Sequence, residues 1–103
     1  MEFNWDKGNR GHVAEHAVSP EEAEQVVLNE PLDLELQIHD GEERTLQVGE
    51  TDAGRILIVV TTWREQKVRV VTAFPANKKI RGLYAKYTET GTGKSHGGES
   101  ENP

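Results

Sequence analysis

Apolar positions along the chain recur with two different periods, and the switches between them mark the elements. Phe3 and Trp5 form an isolated apolar pair that predicts a brief strand or an anchor for the N-terminus. Residues 7–16 read as a weak helix, because Gly8 and Gly11 lower helix propensity. A second helix is signalled more strongly at Ser19-Pro20-Glu21-Glu22. Here Ser19 is suited to capping, Pro20 to the first helical position, and Glu22 completes a capping box. Ala23, Val26 and Val27 follow at helical spacing, and Pro31 lies just beyond the expected end.

From Leu32 the period drops to two. Leu32, Leu34, Leu36 and Ile38 alternate with Asp33, Glu35 and Gln37, which predicts a strand with one wet face. His39-Asp40-Gly41 predicts a tight turn. Arg44, Leu46 and Val48 continue on a second strand, with Gly49 to Gly54 as the next loop. The third strand, Arg55–Trp63, is apolar on both faces and is expected to be central and covered on both sides. A turn at Arg64–Gln66 leads into a fourth strand, Lys67–Phe74. Connections this short favour a four-stranded antiparallel meander. A last helix, roughly Asn77–Tyr87, places Ile80, Leu83, Tyr84 and Tyr87 on one stripe and Lys78, Arg81 and Lys86 toward the other side. The predicted fold class is α+β: two N-terminal helices, the meander, and a C-terminal helix packed back on the sheet.

Residues 1–87 are expected to form one domain, since 103 residues suffice for a single core without metals or disulfides. Residues 88–103, TETGTGKSHGGESENP, hold no aliphatic side chain and are expected to be a disordered polar tail. The GTGKS within them resembles the end of a phosphate-binding loop. Thr88 stands where that motif requires its first glycine, however, and no strand precedes it. There are no cysteines, so disulfides and thiolate zinc sites are excluded. The N-terminus shows no signal-peptide pattern, and the longest apolar run, Ile56–Val60, is far short of the roughly 20 residues that cross a bilayer. A soluble, cytoplasmic protein with no membrane association is the expectation.

The net charge of −6 conceals a segregation. Residues 63–87 carry seven basic side chains (Arg64, Lys67, Arg69, Lys78, Lys79, Arg81, Lys86) against one acid, Glu65, whereas residues 1–62 carry four against fourteen. A basic face on an acidic body is a candidate anion or nucleic-acid surface. The acidic total weighs against tight non-specific binding to nucleic acid.

The order of motifs resembles one family. Phe3-x-Trp5-Asp6, His16 closing a first helix, Val18-Ser19-x-Glu21-Glu22-Ala23 opening a second, Glu43-Arg44 before the second strand, and Arg81-x-x-Tyr84 in the last helix look like the BrnT toxins. The resemblance covers about residues 3–87. It implies a RelE-like fold, ribonuclease activity, and neutralisation by an antitoxin that itself binds DNA, so that DNA is reached only through that partner. The chain departs from the family pattern at two charged positions: Phe74 stands for the usual arginine after the fourth strand, and Ile80 for the glutamate of the last helix. In the first helix His12 and Glu15 replace the usual asparagine and lysine, and the segment between Asp6 and His16 is one residue shorter.

Cleaving RNA without a metal or other cofactor needs a base for the 2′-hydroxyl, an acid for the leaving oxygen, and cations for the phosphorane charge. His12 and His16, one helical turn apart, are the acid/base candidates, joined by Arg81 as the third catalytic candidate. Arg44, Lys78 and Lys79 are the RNA- or phosphate-binding candidates, with Tyr84 in support. Each has a blander reading. A histidine pair at this spacing often sits on a solvated helix face, and no third ligand nearby suggests a metal. The lysines and Arg81 also suit the wet face of an amphipathic helix. Trp5 and Trp63 are expected in the core rather than as base-stacking platforms. The alternative function is a non-catalytic RelE-like module that engages a protein partner.

Overall fold

The computed structural model describes residues 1–89. Two helices, α1 (Lys7–Ala14) and α2 (Pro20–Leu28), precede four strands, β1 (Leu32–His39), β2 (Glu42–Glu50), β3 (Ile56–Arg64) and β4 (Lys67–Pro75), and a last helix, α3 (Lys78–Glu89), follows them. This is the expected α+β layout. The sheet runs β1-β2-β3-β4 with every neighbour antiparallel, as a meander. Before α1, the Phe3–Trp5 segment bridges to Val68 of β4, where Asn4 N–H donates to the Val68 carbonyl at 2.8 Å.

Local chemistry explains the helix ends. The Asp6 side chain accepts from the Asn9 backbone N–H, and the Asn9 side chain accepts from the Asp6 N–H, so α1 opens on a capping box. It ends at Ala14, two residues earlier than the periodicity predicts. Val18 N–H donates to the Val13 carbonyl and Ala17 N–H to the Ala14 carbonyl, each at 3.0 Å, with Ala17 left-handed at φ 57°. That pair of bonds is a Schellman closure, and its apolar ends, Val13 and Val18, are both buried. The second helix starts as its sequence predicts, with Ser19 and Glu22 exchanging capping bonds and Pro20 in the first turn. Arg55 ties this corner to the sheet: its Nη1 donates to the Ala17 carbonyl at 2.8 Å and to Glu22 Oε1 at 3.0 Å.

The two hairpin turns carry positive φ at both central residues, Asp40 (51°) with Gly41 (78°), and Glu65 (56°) with Gln66 (64°). Such turns match the right-handed twist of the flanking strands. The sheet is covered over part of each face. One face packs Leu57, Val59, Val70 and Ala73 against Val13, Val18, Ala23 and Val26 of the α1–α2 layer. The other packs Val48, Ile58 and Phe74 under Tyr84 and Ile80 of α3. β3 is therefore central and covered on both sides, as its composition predicts.

Two bulges reassign the faces of the outer strands. In β1, Asp33 pairs with Gln47 but Glu35 already pairs with Leu46, so Leu34 is the extra residue. Paired residues share a face, and one inserted residue inverts the alternation after it. Leu32 and Leu34 thus pack in the α3 core, while Leu36 and Ile38 turn to the opposite face and remain 61% and 64% exposed. The expected single apolar face of β1 is split between the two sides. In β4 the shift falls where Val60 pairs with Thr72 but Thr61 pairs with Val70, leaving Val71 extra. This sends Val70 toward α1 and Arg69 to the α3 side of the sheet.

Other expectations are corrected. Trp63 is 69% exposed, because it lies at the hairpin end of β3, past the reach of either helix layer; only Trp5 packs partly against the core. Leu83 leaves the predicted α3 stripe and is exposed, while Ile80, Tyr84 and Tyr87 keep to it. α3 runs to Glu89, two residues into the stretch read as tail, and the remainder of that stretch lies outside the described residues. Gly49 belongs to β2 rather than to a loop.

Gly49 also permits a close approach. A Cβ there would sit 3.1 Å from Pro31 Cβ and 3.1 Å from Val26 Cγ1. Gly49→Ala is expected to destabilise the fold by roughly 1–3 kcal/mol through overpacking. Ala17→Gly is expected to raise stability by about 0.5–1 kcal/mol, because the left-handed position strains any residue with a Cβ. Urea midpoints of the two variants, measured beside the parent, check both signs.

Candidate functional site

On the sheet face that carries α3, the strands extend past the helix toward the two hairpin tips. A group of basic residues lies in this overhang. Arg44 of β2, Arg64 of β3 and Arg69 of β4 line a cavity of about 210 Å³ together with Glu42, and Gly8, Asn9 and His12 close it from α1. α1 is held along β4 by buried Asn9, whose Nδ2 donates to the Val70 carbonyl at 2.9 Å and to the Asn4 carbonyl at 2.9 Å. That clamp sets His12, one turn further along, over the rim.

Carboxylates orient each arginine. Glu42 Oε1 accepts from Arg44 Nε at 3.0 Å, and its Oε2 accepts from Arg64 Nη2 at 3.0 Å. One carboxylate thus braces two guanidinium groups from neighbouring strands. The Arg64 hydrogen bond, and then that of Arg44, hold the Glu42 carboxyl below its ordinary value. Arg69 is gripped more completely. Its Nη1 donates to Asn4 Oδ1 at 2.6 Å and to Asp6 Oδ2 at 3.0 Å, and its Nη2 to Asp6 Oδ1 at 3.2 Å. Its side chain is only 13% exposed. The Arg69 bonds, followed by the Asn9 cap, lower the Asp6 carboxyl as well. With three guanidinium groups against two carboxylates, the cavity keeps a positive balance before His12 is counted. Arg44 meets Glu42 through Nε, which leaves its terminal amino groups placed to meet an anion. A planar fork of donors suits a phosphate bidentately.

The remaining sequence candidates lie elsewhere. His16 falls beyond the end of α1 instead of one turn along its face, and its ring packs 5.7 Å from Phe74. Arg81 is exposed, and its Nη1 donates to the Ala76 carbonyl at 2.8 Å, bracing the start of α3. Lys78 and Lys79 line a separate, largely apolar groove of about 690 Å³ with Leu83 and Lys86. Tyr84 is buried and points inward, donating to Glu50 Oε1 at 3.2 Å. His12 and Arg44 are therefore the two candidates brought together. Arg64, Arg69 and their carboxylates were not singled out, although both arginines belong to the basic segment 63–87; only the register puts them beside Arg44. Among the described residues no group of His, Cys, Asp and Glu has the makings of a metal site.

A model of a family described as ribonuclease toxin, BrnT, of type II toxin–antitoxin systems matches residues 5–79. The chain belongs to the BrnT family. The match spans both N-terminal helices, the whole sheet and the start of α3. Membership makes this BrnT chain a toxin of a type II pair, from a family of ribonucleases, with an antitoxin as its partner. No curated protein matches it. Among the described residues no helix is long and apolar enough to cross a membrane. Phe74 and Ile80 both pack in the apolar cluster between the sheet and α3.

Burial, reinforced by the neighbouring Glu50 carboxylate, pushes the Tyr84 phenol up from 10.0 to about 12. The folded state then holds that proton more tightly than the unfolded chain, so stability is lost as pH rises from about 10 toward about 12. At 1.36 kcal/mol per unit the loss is about 2 kcal/mol. Chemical denaturation at pH 9, 10.5 and 11.5 should show this decline in the parent, and a shallower one in Tyr84→Phe.

Proposed function

We propose that this toxin cleaves RNA without a metal, at the cavity formed by His12, Arg44, Arg64 and Arg69. The observation that carries the reading is the convergence of one histidine with three carboxylate-oriented arginines on the open half of the sheet. Neutral His12 takes the proton of a 2′-hydroxyl. That oxygen attacks the adjacent phosphorus, the bond to the 5′-oxygen breaks, and the leaving oxygen takes up a proton from solvent. The products are a 2′,3′-cyclic phosphate and a 5′-hydroxyl. Arg44 and Arg64 face the phosphorane, where preset cations act most strongly. Arg69, held by Asn4 and Asp6, positions the N-terminal segment that carries α1. Glu42 stays ionised and serves to aim the two arginines.

On this reading the partners are RNA and a cognate antitoxin, DNA is met only through the antitoxin, and the working compartment is the cytoplasm. A second reading has its own support. Phe74 and Ile80 are apolar where the family carries charge, and both are spent on packing α3. A toxin fold that binds its partner without cutting RNA is consistent with that substitution.

The two readings separate in a cleavage assay on a synthetic RNA in EDTA. The parent is expected to cut and to leave a cyclic phosphate end. His12→Ala should lower the rate about 10²–10⁴-fold, the usual span for a general base. Arg44→Ala should lower it by a comparable factor, while His16→Ala and Arg81→Ala should stay within a few-fold. Loss of cutting in EDTA, or a folded His12→Ala at full rate, would sink the proposed chemistry. A folded parent inert toward RNA but bound to its antitoxin would establish the second reading.

A further inference from the structure

The opposite face of the same overhang is built for a different contact. α1 and α2 cover only the half of that face nearest the start of β3, and the β1 bulge delivers Leu36 and Ile38 to the uncovered half. Leu36 pairs with Thr45 and Ile38 with Glu43 on β2, and Thr45 pairs with Thr61 on β3. Trp63, two residues beyond Thr61, shares that face and lines a cavity of about 330 Å³ with Glu43, Thr45 and Thr61. Thr45 and Glu43 of β2 thus floor a trough between the aliphatic side chains of β1 on one wall and, beside Thr61, the indole of β3 on the other. The walls stand two strand spacings apart, or roughly 10 Å, which is about the diameter of an α-helix with its side chains.

Three large apolar side chains, each more than 60% exposed, are grouped on this one face. Clustered exposure of this kind marks an interaction surface rather than ordinary surface scatter, and a central Trp is a typical anchor of such contacts. The charge around the trough narrows the occupant. Glu43 lies within it, and Asp40 and Glu65 occupy the two turns at its open end. The three arginines of the cavity, Arg44, Arg64 and Arg69, face the other side of the sheet. An RNA backbone would be repelled here, and a two-fold pairing of this face with itself would set acid against acid.

We infer that the trough of Leu36, Ile38, Thr45, Thr61 and Trp63 receives an amphipathic helix of the antitoxin, one with an aliphatic stripe and Lys or Arg where it passes Glu43. Only the naming of the partner rests on the toxin–antitoxin reading; the surface is argued from this sheet alone. The partner is thereby held on the side away from the arginine cavity, so binding and RNA cleavage respond to different substitutions.

The test uses the full chain and the small protein encoded beside its gene. Affinity is measured by calorimetry and cleavage on the free toxin in parallel. Trp63→Asp and Ile38→Asp should each weaken binding at least 30-fold, Glu43→Lys about 10-fold, and all three should leave free-toxin cleavage within two-fold of the parent. In a Trp5→Phe background, the Trp63 emission should shift to the blue when the complex forms. Unchanged affinity in folded Trp63→Asp and Ile38→Asp overturns the proposal. So does a parent that self-associates in sedimentation and loses that association in Trp63→Asp, which would make the occupant a second copy. Should the adjacent protein fail to bind the parent at all, the proposal falls, while the RNA assay still judges the cleavage reading separately.

Discussion

Everything in this molecule is arranged around a strand that is apolar on both of its faces. Leu57 and Val59 face one way and Ile58 and Val60 the other, and all four are buried. A strand of this kind cannot lie at an edge or leave one side to water. It takes the middle of the sheet and demands a cover on each side. α1 and α2 supply one, α3 supplies the other, and the Arg55 contacts to Ala17 and Glu22 fix the first cover to the start of the strand. Because the helices are short and the strands long, the covers reach only part way. What remains is a two-sided overhang, and both functional proposals concern it.

The two sides of that overhang differ in character because of the bulges. Regular alternation in β4 would put Arg69 under the α1–α2 layer and Val70 on the α3 side. The extra residue Val71 exchanges them, which buries Val70 and brings Arg69 level with Arg44 and Arg64. The Leu34 bulge acts in the same way on β1, removing Leu36 and Ile38 from the basic side. Charge and apolar surface are thereby sorted onto opposite faces. The basic side is then held in shape by acids: Glu42 spans two strands, and Asp6 joins the N-terminal segment to β4. Carboxylates with lowered proton affinity stay charged through the neutral range, so the arginines remain braced at neutral pH.

The BrnT match spans both N-terminal helices and the whole sheet. Phe74 and Ile80 pack α3 onto the sheet, and the ring of His16 lies against Phe74. This region is part of an apolar seam. His12, on the other hand, reaches the arginine cavity. The two histidines part because α1 ends at Ala14 and closes through the Schellman bonds at Ala17 and Val18, leaving His12 on the helix and His16 beyond it.

Much of this was legible in the chain. The capping box of α2, the meander, its turns, the central β3 and the final helix all follow from short-range rules that act on neighbouring residues. His12 and Arg44 could be named from residue type and alternation. Arg69 could not, because the extra residue Val71 leaves no reliable trace in an alternating pattern yet decides which face Arg69 joins; Glu42 and Arg64 could not, because only the pairing of distant strands sets them beside Arg44. Trp63 and Leu83 show the same limit: each fits an apolar pattern, and only the length of the covering layers decides whether anything lies over it. The sequence by itself determined the elements and their order, since period, caps and turns are local properties of the backbone. The tertiary structure alone decided which side chains meet, because that depends on register and on how far each layer extends, quantities set by packing between distant segments.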